Sequence, residues 1–99
     1  MPRLIWSPTA QRDLQESVEF IRENSPAATA SLAKKVMEAV DLLEVMPEIG
    51  PVIERLADMG PYRQLLVARY LIIYRLDGDD IVIARSWDAR RSPDSLVVK

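Results

Sequence analysis

Three β-rich runs crowd the second half of this chain: Tyr62 to Ala68, Tyr70 to Leu76 and Ile81 to Trp87. Valine, isoleucine, leucine and aromatic residues dominate them, the composition that suits a pleated, half-buried surface. Asp77-Gly78-Asp79 separates the last two and is a favourable hairpin turn, because glycine and aspartate tolerate the backbone angles a tight turn needs. Side chains two apart share a strand face, so Arg63, Leu65 and Val67 are expected on one side, and Tyr62, Gln64 and Leu66 on the other. The runs carry arginines and close on Asp88-Ala89-Arg90-Arg91, so this sheet is expected both to pack and to bind.

The first half reads differently. A brief run, Arg3 to Trp6, meets Ser7-Pro8, where serine can accept from the orphan amides of a helix and proline suits its first position. Ala10, Leu14, Val18 and Ile21 then recur at helical spacing, giving a helix to about Glu23. Asn24-Ser25-Pro26 repeats the punctuation, and so short a joint makes the next helix pack antiparallel to the first. Leu32, Val36, Val40 and Leu43 form the stripe of this second helix, which stops at Pro47. The Met46 to Pro51 stretch must turn, and Val52 to Gly60 has no clear period and reads as loop. The order is strand, helix, helix, then three strands (β-α-α-β-β-β): an α+β domain whose antiparallel sheet carries a helical hairpin on one face. Residues 1–99 are expected to form one domain, with 92–99, SPDSLVVK, a proline-broken tail that is loose or adds to a partner's sheet.

Composition removes several chemistries. The 99 residues contain no cysteine and no histidine, which excludes disulfides, thiolate or imidazole metal ligands, Cys-His or Ser-His nucleophile pairs and the commonest neutral-pH base. No cofactor or metal is expected. Asp77, Asp79 and Asp80 lack the spacing of a calcium loop and are better explained as turn residues. No run of eighteen apolar residues occurs, and the start shows no signal peptide, so a cytoplasmic protein without membrane contact is expected. The net charge of −2 gives no encouragement to broad phosphate gripping. Its distribution is uneven: residues 1–50 sum to −3 and residues 51–99 to +1, with arginine supplying all but one of the later cations. Arginine's planar donor fork suits specific contacts more than a diffuse field.

The helix start W-S-P-T-A-Q-R-D-L, the turn M-P-E-I-G, the strand pair Y-R-Q-L-L-V-A-R-Y-L-I-I-Y-R-L and the closing I-A-R-S-W-D-A-R-R resemble the ParE/RelE superfamily of type II toxin-antitoxin toxins, from Leu4 to about Arg91. The resemblance implies a growth-inhibiting toxin, of the kind associated with plasmid stabilization, neutralised by a cognate antitoxin in a hetero-oligomer. Operator DNA would be reached only through that antitoxin. ParE-like members act on DNA gyrase; RelE-like members cleave messenger RNA on the ribosome. Arg63, Arg85 and the pair Arg90-Arg91 match the family's basic face. Asp88 departs from it, standing where many relatives carry histidine, and no tyrosine follows Tyr74.

Cleavage by a 2′-hydroxyl needs a proton acceptor, a proton donor and cations, and here only the cations are evident. The ParE-like gyrase inhibitor is therefore favoured, and no catalytic residue is assigned. The alternatives are a RelE-like nuclease and a non-toxic antitoxin-binding module. Arg63, Arg85, Trp87, Asp88, Arg90 and Arg91 are the candidate target- or antitoxin-binding residues. The bland reading of each arginine is a solvated surface charge, and of Trp87 half-buried packing at a strand end. Tyr70 and Tyr74 are expected in the core with hydroxyls at the rim.

Overall fold

The computed structural model describes residues 3–88, and the elements run β1 (Leu4–Trp6), α1 (Pro8–Asn24), α2 (Pro26–Val45), a 3-10 helix (Glu54–Met59), β2 (Arg63–Val67), β3 (Tyr70–Asp77) and β4 (Asp80–Asp88). Arg90, Arg91 and the tail 92–99 lie outside the described residues.

Both helices begin as their serine-proline signals require. Ser7 Oγ accepts from the Ala10 amide at 3.0 Å, and Pro8 takes the first helical position, where its missing N–H costs nothing. Ser25 serves two helices at once. Its N–H donates to Ile21 O, closing α1, and its Oγ accepts from the Ala28 amide at 3.2 Å, opening α2. Extended angles at Ser25, φ −161° and ψ 108°, follow from the proline after it and force the reversal between the helices.

The sheet order is β1-β4-β3-β2. The two hairpins β2-β3 and β3-β4 are antiparallel as expected, but β1 lies parallel to β4, pairing Leu4 with Ile81 and Trp6 with Ile83. The sheet is thus mixed. The intervening helical hairpin and two strands supply the long crossover that parallel pairing needs, and the Arg3 carbonyl fixes the start by accepting from Ile81 N–H at 2.7 Å. One register shift interrupts β3-β4: Tyr74 pairs with Ile83 and Ile73 with Arg85, leaving Ala84 as the extra residue of a bulge.

Each face of the sheet has its own core. Tyr70, Ile72, Tyr74, Ile81 and Ile83 pack with Leu32, Val36 and Leu43 under the helices. On the far face, Ile53, Leu56 and Tyr62 cover Ile73, Ala84 and Trp87. The segment expected as loop therefore contains a structured lid. Ile53 and Leu56 stand three apart, the spacing that eclipses side chains on a 3-10 turn, and this places both against the sheet.

Candidate functional site

Of the six residues singled out from the sequence, the four described ones, Arg63, Arg85, Trp87 and Asp88, do not meet at one point. Arg63 opens β2 and turns toward the Met46–Pro51 segment. One of its guanidinium nitrogens donates to the carbonyls of Glu48 at 3.2 Å and Gly50 at 2.9 Å. Its register partner Tyr74 works on the same segment. The Tyr74 hydroxyl donates to Pro47 O and accepts from Gly50 N–H, both at 2.9 Å, so the phenol is fully engaged inside the fold. Burial pushes this phenol above its ordinary pKa, against the opposing pull of the Gly50 amide and the Arg63 charge. Gly50 must be glycine here: a Cβ would collide with the Gln64 carbonyl and stand 2.7 Å from the Tyr74 hydroxyl. Arg63 and Tyr74 form a latch that holds the Pro47–Gly50 turn against the start of β2 and the middle of β3.

Arg85 is directed elsewhere. Its Nε and terminal nitrogen donate to the two carboxylate oxygens of Asp13 on α1, at 2.6 and 3.0 Å, and both side chains are mostly buried, at 14% and 13% exposure. The same carboxylate accepts from Ser86 N–H at 3.2 Å. The bulge at Ala84 sits immediately before Arg85, a position from which a bulge re-aims side chains. The guanidinium lies 5.1 Å from the centre of the Trp87 ring, within cation–π range. Trp87 is buried at 3% exposure, deeper than the half-buried packing expected. Asp88 ends β4 half-buried opposite Tyr70. The structure thus gathers Arg85, Trp87 and Asp88 on one strand, places Arg63 two strands away on a different task, and corrects the picture of an exposed arginine row at Arg85. Sequence reading missed Asp13, which sits beside the apolar stripe of α1 with nothing local to mark it.

A cavity of about 230 Å³ at the end of β4 is lined by Asp13, Glu16, Phe20, Tyr70, Ser86 and Asp88, and further cavities lie elsewhere on the surface. A groove of about 290 Å³ between α2 and β2 is lined by Lys35, Glu38, Ala39, Leu42, Leu65 and Leu66. At Lys35 and Ala68 it continues into a cavity of about 340 Å³ that reaches Phe20 and Arg69. At the opposite end, a cavity of about 720 Å³ has an apolar floor of Met46, Ile49 and Leu76 and a rim of Glu44, Glu48 and Asp79. Among the described residues, no group of three or more acidic side chains comes together in a way that could hold a metal ion, and no helix is long and apolar enough to cross a membrane.

This fold is similar to that of a solved chain described as from the chromosomal ParDE toxin-antitoxin system of P. aeruginosa. That chain matches at a TM-score of 0.70 and 20% identity, over 89% of this chain and 96% of the other. The family model for the ParE toxin of the type II toxin-antitoxin system parDE matches residues 4–93, and this chain belongs to that family. No curated protein sequence matches it.

Proposed function

We propose that this ParE-family toxin arrests growth by docking on DNA gyrase and is silenced by a cognate antitoxin encoded beside it. The observation that carries the choice of docking over RNA cleavage is the commitment of its polar side chains to the fold. The Tyr74 hydroxyl has donor and acceptor roles filled by Pro47 and Gly50, and Arg85 is held bidentate by Asp13. A general acid or base must reach substrate, which these groups are not placed to do. Fold and family alone do not assign a target, so this reading rests on the site.

The end of β4 is the proposed target surface. Arg85 and Trp87 brace it from within, and Asp88, Arg90 and Arg91 are the residues expected to touch gyrase. The supporting test is a supercoiling assay with purified toxin and gyrase. Inhibition of gyrase, with intact transcripts in toxin-expressing cells, is expected. Codon-positioned messenger RNA cleavage with unimpaired supercoiling would replace this reading by the nuclease one, and normal growth on induction would leave an antitoxin-binding module. Co-expression of the neighbouring reading frame should restore growth.

A further inference from the structure

The latch beyond the end of α2 fixes a segment that presents apolar and acidic side chains outward. Ile49 N–H donates to Met46 O at 3.1 Å, Gly50 N–H is bonded to the Tyr74 hydroxyl, and Arg63 holds the carbonyls of Glu48 and Gly50. Met46 and Ile49 nevertheless stay 50% and 39% exposed. Both line the cavity of about 720 Å³ that reaches the β3-β4 hairpin, where half-buried Leu76 completes the floor. A backbone already fixed loses little conformational freedom on binding, so an apolar surface mounted on it is a pre-organised platform.

Charge selects what could cover this platform. Glu44 sits in the last turn of α2, which holds no basic residue, although a carboxylate there opposes the negative end of the helix dipole. Glu48 and Asp79 stand around the same opening, and among the described residues no cation pairs with any of the three. The cations nearby are committed: Arg3 holds Asp80, Arg75 pairs with Asp77, and Arg63 spends its donors on backbone carbonyls. The opening is therefore net negative. That sign repels nucleic acid, and it opposes a second copy seated face to face by the same cavity. The complement is a protein segment that offers apolar side chains to the floor and lysine or arginine to the rim.

We propose that this cavity docks a basic, apolar segment of gyrase, taken from a surface with which gyrase holds DNA. The inference rests on the gyrase reading above and adds a second contact to it. A protein that grips DNA carries cationic surfaces for the phosphates, and an acidic-rimmed inhibitor seated on one excludes the duplex. The cavity opens at the Asp80 end of β4, about 26 Å from Asp88 by strand length, so one large partner can cover both ends of the strand.

The experiment is a supercoiling assay and a direct binding measurement with the full toxin and gyrase, repeated for Glu44→Lys/Glu48→Lys and for Met46→Ser. The charge variant should inhibit about tenfold more weakly at low salt, and the gap should narrow as salt rises. Met46→Ser, which touches only the floor, should weaken inhibition about threefold at any salt. Glu44→Lys places a cation at the helix C-terminus, so the charge variant should melt no lower than the parent, which separates lost docking from misfolding. A linear duplex should displace the parent toxin from gyrase in the binding measurement. Unchanged inhibition by either variant, or toxin that stays bound under saturating duplex, overturns the cavity proposal while leaving the gyrase reading intact. A charge variant that keeps full inhibition but no longer binds the antitoxin from the neighbouring reading frame assigns the cavity to the antitoxin and overturns the proposal likewise. A parent toxin without effect on gyrase overturns both.

Discussion

Replacing Asp13 by alanine should be among the most damaging single changes this protein can suffer. The carboxylate takes two bonds from Arg85 and one from the Ser86 amide, and both charged side chains are mostly buried. Removing one partner of a buried pair leaves an uncompensated charge, at roughly 3–5 kcal/mol, and the orphaned amide adds about 1 kcal/mol more. Residual exposure of 13–14% lets water soften the first figure, so about 3 kcal/mol is expected from urea unfolding followed by circular dichroism. That is a large share of a domain stability of about 5–15 kcal/mol. Arg85→Glu should be worse, since it faces one carboxylate with another; loss of toxicity in that variant would report unfolding before it reported a lost target contact. The charge swap Asp13→Arg/Arg85→Asp separates the two. Recovered stability with absent toxicity would make Arg85 a target contact as well as a brace, whereas recovered stability with recovered toxicity would leave it a brace alone. A loss below 0.5 kcal/mol in Asp13→Ala would refute the reasoning, because the pair would then behave as an exposed surface salt bridge.

The loop latch gives two further outcomes. Gly50→Ala should lower the unfolding free energy by about 2 kcal/mol or more, read as a lower urea midpoint, since its Cβ meets backbone as well as the phenol. Tyr74→Phe, which orphans the Gly50 amide and the Pro47 carbonyl, should cost about 1–3 kcal/mol by the same measurement. Ala68 opens the two-residue turn between β2 and β3 with φ 56°, so Ala68→Gly should raise stability by about 0.5–1 kcal/mol, read as a higher melting temperature. Asp80 hydrogen-bonds Arg3, which holds its carboxyl below the ordinary 3.8. A depressed pKa stabilises above the unfolded value and is lost as pH falls through the folded one. Arg3→Gln should therefore flatten the stability change between pH 5 and 2.5 and leave stability near pH 7 relative to pH 5 unaltered.

Local grammar was the legible part of the fold. Ser7-Pro8 and Ser25-Pro26 mark helix starts through their own side chains and rings, and Asp77-Gly78-Asp79 marks a turn through a glycine with φ 59°. The Ala68-Arg69 turn carries no such residue, because β2 and β3 impose its strained angles from outside. The parallel β1-β4 pairing was equally silent, since Leu4–Trp6 bears no record of which distant strand it will meet. The 3-10 helix hid its period of three in only two residues, Ile53 and Leu56, too few to stand out from loop. At the site, Arg85 could be found as a residue type in a strand, but its task could not. That task depends on Asp13, 72 positions away, and on a bulge that only the paired strand reveals.

The same comparison changes what an arginine in this sheet means. Arg63 and Arg85, which matched the family's basic face, spend their donors on the Glu48 and Gly50 carbonyls and on the Asp13 carboxylate. Their rigid forks fix a loop to β2 and a helix to β4, the two attachments that a small sheet with a separate core on each face needs most. Under the proposed docking reading, target contact is then expected from Asp88, Arg90 and Arg91 and not from Arg63 or Arg85. Charge changes at Arg85 should therefore alter toxicity only by first loosening the fold, with the loss of activity tracking the loss of stability in urea unfolding.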